Sequence, residues 1–417
     1  MEELVPSNKQ TAQTEVTILD GAAVHILKPT SGKTFGDYAS NNFVRYIEGQ
    51  LQRARRLDLV WDDYPENSLK SQVRDERGTG RRVRVEATTP LPRNWRQFLR
   101  VDCNKVELFQ LLSNQVTCLA RVESQKQLIV TSGQHVMCVH MQNTAKLAPC
   151  THEEADTRIM MHVYDGLSKG FQHILVRTVD TDVVVLAVAG VCKLGIRELW
   201  VAFGTGKDFR YIPAHEISAS VGPTKSIGLP MFYAYTGCDT VSAFATIGKR
   251  TAWNTWMAFD NVSMVFTSFC VTHSQCLRNQ FLFWSNMYTI LLYDRTSTCT
   301  NINEAHKQLF AIKGRTIGNI PPTKAALEQH IKRAIYQGGF VWGQLFEIAP
   351  ALPSPSAYGW AYAEGWMPLW TMLPEASNSC RELICCGCKK DCRGRCKCVK
   401  AVLKCTALCK YGGLCER

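Results

Sequence analysis

The chain has no apolar run long enough to span a bilayer. About 18–20 uninterrupted apolar residues are needed, and the best candidate, Phe281–Tyr293, is broken by Ser285 and Asn286. A charged-then-apolar leader is also missing, since the sequence opens MEELVPSNKQ. No internal repeat is present. Acid is short relative to base, with 36 Asp+Glu against 48 Lys+Arg and a formal net charge of +12. These absences argue against a membrane, secreted or repeat protein, and the basic balance points to an anionic partner, nucleic acid first. With 46% hydrophobic and 20% charged residues, the chain is neither wholly disordered nor collagen-like nor a small disulfide knot. Its 417 residues allow two to four domains at roughly 100–200 residues each.

What is present is an alternation of strand-like and helix-like segments. Glu15–Asp20 and Leu57–Asp62 read as buried strands that end in an acid. Between Lys70 and Arg100 the chain turns basic, with Arg77, Arg81, Arg82 and Arg84 close together. Residues 103–112 have helical apolar spacing, and Gln127–Thr131 reads as a short strand. Thr151 followed by Glu154 has the capping-box pattern, which predicts a helix start there. His173–Val179 and Glu198–Phe203 read as strands, Val183–Val191 as a buried helix, and Thr236–Thr240 as the opening of another helix. Such alternation predicts an α/β domain with a parallel sheet. In that architecture the ligand crevice lies beyond the carboxyl ends of the strands, where Asp20, Asp62, Asp180 and Asp182 fall. Residues 261–290 contain one charged residue, Arg278, and fit neither helix nor strand period. Charged, helix-like sequence resumes near Tyr293, and residues 341–379, rich in Trp and Pro, read as an extended linker. The expected division is 1–257, a mostly helical 258–340, the linker, and a Cys-rich unit over 380–417.

A single acid at a strand end is usually a turn residue or helix cap. Several gathered together repel one another unless a cation holds them. Oxygen donors suit Mg²⁺ or Mn²⁺, and two such ions ~3.5–4 Å apart can activate water and stabilise a leaving phosphodiester oxygen. The order of the acids resembles the flap-endonuclease family, structure-specific nucleases with a PIN-like fold. Ile18-Leu-Asp20 is similar to that family's first strand and first acid, and Val60-Trp-Asp62 to its second. Lys70 and Arg77 fall where its basic arch, here near residues 63–100, carries a Lys and an Arg. Glu154-Ala-Asp156 resembles its Glu-Ala-Glu pair, with Asp156 in place of the second Glu. Asp180-Thr-Asp182 resembles its Asp-x-Asp, and Gly237-Cys-Asp239 its Gly-x-Asp ahead of a helix-hairpin-helix, whose end Ile247–Ala252 partly matches. The resemblance covers residues 14 to about 257. It implies a PIN-like sheet and a two-metal nuclease acting on DNA or RNA. Glu154, Asp156, Asp180 and Asp182 would be core ligands, Asp20, Asp62 and Asp239 would serve a second ion or its waters, and Lys70 and Arg77 would face the scissile phosphate. The alternative is a PIN-like scaffold that no longer cleaves.

Of 19 cysteines, 10 lie between Cys380 and Cys415. In a reducing interior, a local cluster points to metal rather than disulfides. The run is Cys386-Gly-Cys388, Cys392, Cys396-Lys-Cys398, Cys405, Cys409 and Cys415, which suits tetrahedral thiolate Zn²⁺ with bridging sulfurs. Ten Lys/Arg against three Asp/Glu over 380–417 add phosphate affinity. The tail resembles the tesmin-type CXC zinc domain, a DNA-binding module. The resemblance implies two to three Zn²⁺ and a nuclear location, although Tyr411 stands where a last Cys-x-Cys step would supply a ligand. Other signals fail on their chemistry. Ser31-Gly-Lys-Thr34 has Leu27 where a phosphate-binding loop needs its first Gly, and His152-Glu153 has Asp156 where a zincin needs His.

Overall fold

The computed structural model describes residues 14–371, apart from 23–26, 31, 66–67, 71–79, 142, 272–277 and 313, and beyond them 386–388, 398 and 409. The chain divides into two compact units, Met1–Leu369 and Trp370–Arg417.

The first unit is built on a seven-stranded sheet of order β4-β3-β2-β1-β5-β6-β7. Its strands are β1 (Val16–Asp20), β2 (Arg56–Val60), β3 (Gln127–Ser132), β4 (His135–Val139), β5 (His173–Thr178), β6 (Glu198–Phe203) and β7 (Arg210–Pro213). The five inner strands run parallel. The two edges, β4 on β3 and β7 on β6, return antiparallel. β1 and β2 are buried along their whole length, as strands covered on both faces must be. The chain moves outward from β1 through β2 and β3, then comes back to the other side of β1 as β5. This reversal opens a crevice between the carboxyl ends of β1 and β5.

Helices cover both faces, with a separate apolar core under each. One core packs α5 (Ala155–Ser168), α6 (Thr181–Leu194) and α8 (Pro223–Tyr235) with later helices. The other packs α1 (Phe35–Tyr38), α2 (Arg45–Leu51), α3 (Trp95–Phe98) and α4 (Asp102–Leu119). Between sheet and helix lies a buried ion cluster. Arg56 forks onto Asp58 at 2.8 and 2.6 Å and reaches Asp165 of α5 at 2.5 Å. The Nδ1–H of His162 donates to Asp58 at 2.7 Å.

Four expectations are corrected. The helix foreseen at Thr151 begins at Ala155, and no Thr151–Glu154 capping box forms. Thr236–Thr240 is a turn after α8 rather than a helix start; α9 begins at Lys249 (Lys249–Ala258). Residues 261–290 are helical where described: α10 is Ser263–Val271 and α11 Arg278–Tyr293. The linker is no linker up to Leu369. It follows the helical segment Ile335–Val341, makes a turn at Pro355–Tyr358 and closes with a hairpin of Trp360–Tyr362 on Trp366–Pro368, all within the first compact unit. Among the described residues, no helix is long and apolar enough to cross a membrane.

Candidate functional site

The loops after β1, β2 and β5 and the start of α5 enclose a cavity of about 610 Å³ at the crevice. Asp20, Asp62, Glu154, Asp156, Asp180 and Asp239 all line it, and so does Lys70. Each arrives by a different local device. Asp20 is the last residue of β1, followed by Gly21, whose added Cβ would fall 2.3 Å from the Trp61 ring and 2.8 Å from the Val60 carbonyl oxygen. Only glycine lets the chain turn there. Asp62 caps α5 from afar, its Oδ1 accepting from the Ala155 N–H at 2.8 Å and its Oδ2 from the Tyr64 hydroxyl at 3.1 Å. Asp180 is the N-cap of α6 and accepts from the Asp182 N–H at 2.9 Å. Asp239 follows Gly237, which sits at φ +106° where a Cβ would meet Ala243 at 2.8 Å. Lys249 locks that turn. Its ammonium donates to the carbonyls of Tyr233 (2.7 Å) and Gly237 (2.5 Å) and to the Thr236 hydroxyl (2.9 Å), satisfying the end of α8.

The electrostatics are those of crowded acids. Burial, then the neighbouring Asp62, pushes Asp20 up to about 7, against hydrogen bonds from the Thr178 hydroxyl (2.5 Å) and the Ala22 N–H (2.8 Å). Loss of water and the Asp180 charge bring Asp182 to about 7. Burial and Glu154 raise Asp156 well above the carboxylate range, and burial raises Asp180 as well. The compensating cation is Lys70, 2.5 Å from Glu154 and 3.8 Å from Asp239. Burial works against its charge, but Glu154 and Asp156 outweigh that and hold it protonated far above its ordinary range. The second oxygen of Glu154 is buried with no partner among the described residues. A donor set of clustered oxygens, one of them orphaned and several holding protons, fits a hard divalent cation. The oxygens are loosely spread around Lys70. Among the described residues, the one group of three or more His, Cys, Asp or Glu with ligand atoms all within 4.8 Å of one another is Cys386, Cys398 and Cys409.

Two of the expected residues stand apart. Asp182 does not line the cavity; it sits in the first turn of α6 and acts on its neighbours through space. Arg77 lies outside the described residues. Six charged cavity residues had escaped the sequence reading: Asp63, Arg96, Arg100, Asp102, Lys105 and Glu153. Asp63 and Glu153 each adjoin a foreseen acid, and their backbones pair, the Asp63 N–H donating to the Glu153 carbonyl at 2.8 Å. Arg96 and Arg100 carry an i, i+4 signal that went unread.

In the second unit, Cys386, Cys398 and Cys409 are buried together, with Cys388 packed against them. The sulfurs of Cys398 and Cys409 are 3.5 Å apart, well beyond a disulfide bond at about 2 Å. Three convergent thiols can hold a thiophilic metal such as zinc. Cys392, Cys396, Cys405 and Cys415 lie outside the described residues. No family model matches the chain, and no curated protein matches it either.

Proposed function

We propose that the first unit is a divalent-metal-dependent phosphodiester hydrolase of the PIN-like, flap-endonuclease type, and that the cysteine-rich tail is a CXC-type zinc module that holds the protein on nuclear DNA. The observation that carries this reading is the convergence of Asp20, Glu154, Asp156 and Asp180 at the sheet's switch point, with burial raising the pKa of Asp20, Asp156 and Asp180. Mg²⁺ or Mn²⁺, when bound, would supply an activated water and neutralise charge on the phosphate. Glu154, Asp156 and Asp180 would hold one ion, with Asp182 acting on them through its charge, and Asp20, Asp62 and Asp239 would hold a second ion or its water ligands. Asp62 and Asp180 keep one oxygen on a helix N-terminus, which fixes the carboxylate plane. Lys70 would exchange its contact with Glu154 for the scissile phosphate, where an ammonium stabilises developing negative charge.

One observation favours a second reading, a PIN-like scaffold that binds DNA without cutting it. Lys70 already neutralises the acids that a metal would otherwise hold. Full-length protein with Mn²⁺ and a panel of flap, bubble and single-stranded DNA separates the two. On the nuclease reading the wild type cleaves, and Asp180→Ala/Asp182→Ala lowers the rate by at least about a hundredfold while DNA binding and the thermal melt persist. Full cleavage by that double variant would place the chemistry elsewhere. No cleavage by the wild type leaves the scaffold reading.

A further inference from the structure

The cavity lining carries basic side chains as well as acids, and two of these cations have no assigned task. Lys70 is taken up by Glu154, and Lys105 by Asp102 at 2.8 Å and by the Tyr64 ring at 4.0 Å. Arg96 and Arg100 also line the cavity, are exposed, and have no ion-pair partner among the described residues. Arg96 lies in α3 and Arg100 in the turn that ends it, and both reach the same cavity. This segment is held firmly. Trp95, Phe98 and Leu99 are buried, with Trp95 5.0 Å from the Tyr38 ring and Phe98 5.3 Å from that of Phe35. Asn94 caps the turn through the Gln97 N–H, 3.0 Å away. Asn104, fully buried, ties the Phe98 carbonyl to that of Arg81, donating to each at 2.9 Å. Two like charges on one short turn repel only weakly, and the anchored backbone keeps them together.

Resting on the nuclease reading above, we propose that Arg96 and Arg100 form a phosphate subsite that grips the nucleic-acid backbone beside the phosphodiester at the carboxylates. Guanidinium is the group for this task, because its planar fork takes two phosphate oxygens at once. A fixed turn also spares the side chains part of the ordering cost of binding. The ligand is the sugar–phosphate strand itself, common to DNA and RNA.

The test uses the full chain, wild type and R96Q/R100Q, with Ca²⁺ present and a short fluorescent single strand titrated across a range of salt. DNA and RNA arms are run in parallel. The tail contributes equally to both proteins, so the difference reports the cavity. Losing two phosphate contacts should flatten the log–log salt slope by about 1.4 and weaken binding about tenfold at low salt, with Mn²⁺ affinity and the thermal melt unchanged. R96K/R100K should restore the slope and only part of the affinity. Equal slopes and affinities for wild type and R96Q/R100Q would overturn the subsite, and wild-type cleavage in the same preparation would show that the nuclease reading survives it. A lost slope in a protein that never cleaves would do the reverse.

Discussion

An aspartate that ends a strand and starts a turn has two oxygens to place. In Asp20, Asp62 and Asp180 a backbone N–H takes one of them; the other accepts from the Thr178 hydroxyl in Asp20 and the Tyr64 hydroxyl in Asp62, contacts that a metal ion would share or displace. The protons on these acids make a quantitative prediction. Asp20 and Asp182 have folded pKa values near 7, above the 3.8 of an exposed carboxyl. Raised acids stabilise the fold only below the unfolded value, so the metal-free protein loses stability as pH climbs from 3.8 through 7. An incoming cation must displace the same protons. Mn²⁺ affinity should therefore rise about tenfold per pH unit for each proton released, as pH climbs toward about 7. Calorimetry at several pH values checks this, and a flat profile would mean that these carboxyls are not ligands. His330 behaves oppositely. Its Nε2–H donates to the Tyr235 carbonyl at 2.8 Å and its Nδ1 accepts from Ser242 at 3.0 Å, so the neutral ring is satisfied. Burial lowers its pKa from 6.5 to about 4. Its contribution is complete above 6.5 and is lost as pH falls toward 4, a span worth about 3 kcal/mol. Urea unfolding of His330→Gln should show a shallower loss across that window than the wild type.

At the scale of elements, the buried cluster of Arg56, Asp58, His162 and Asp165 joins β2 to α5. Burial opposes the charge of Asp58, yet Arg56 and His162 hold its pKa at about 2, so the pair contributes fully above pH 3.8 and fails only as pH drops toward 2. Asp58→Asn leaves Arg56 underpaired in the interior and should destabilise the first unit by about 3 kcal/mol. A change below about 0.5 kcal/mol in a denaturant melt would show that the cluster is dispensable. Strands β1, β2, β5 and β6 are legible in the sequence within a residue or two, because β-branched runs bounded by acids have few other uses. Helix α6 is legible for its unbroken apolar run. The start of α5 is not, because its cap, Asp62, comes from 93 residues upstream and no local pattern carries that information. Residues 261–290 fail for another reason. Val265, Phe266, Phe269, Phe281, Tyr288 and Ile290 are buried, while Met264 and Phe283 on the same helices are exposed, so apolar residues stand inside and outside alike and leave no polar face to give a period. Arg96 and Arg100 are readable in retrospect, since their turn puts Trp95, Phe98 and Leu99 inward and leaves the arginines together.

For the whole molecule, the two compact units depend on different forces. The first has two large apolar cores, and the second, among its described residues, a knot of three thiols. A small thiolate domain has little else to hold it. Metal analysis of the reduced protein should find two to three zinc ions, and a chelator should abolish the tail's protection from proteolysis while leaving the melt of the first unit in place. A zinc-free but protease-resistant tail would contradict this.

The sheet's edges bear on how copies of the chain meet. An open strand edge is a template on which another chain can add backbone. Here both edges are short return strands of five and four residues, and β7 ends on Pro213, which has no N–H to offer. The edge at β7 exposes roughly 13 Å of backbone, too little to seed a growing ribbon. Concentrated samples should thus resist fibrillation through the sheet, and self-association has to use helix faces or side chains.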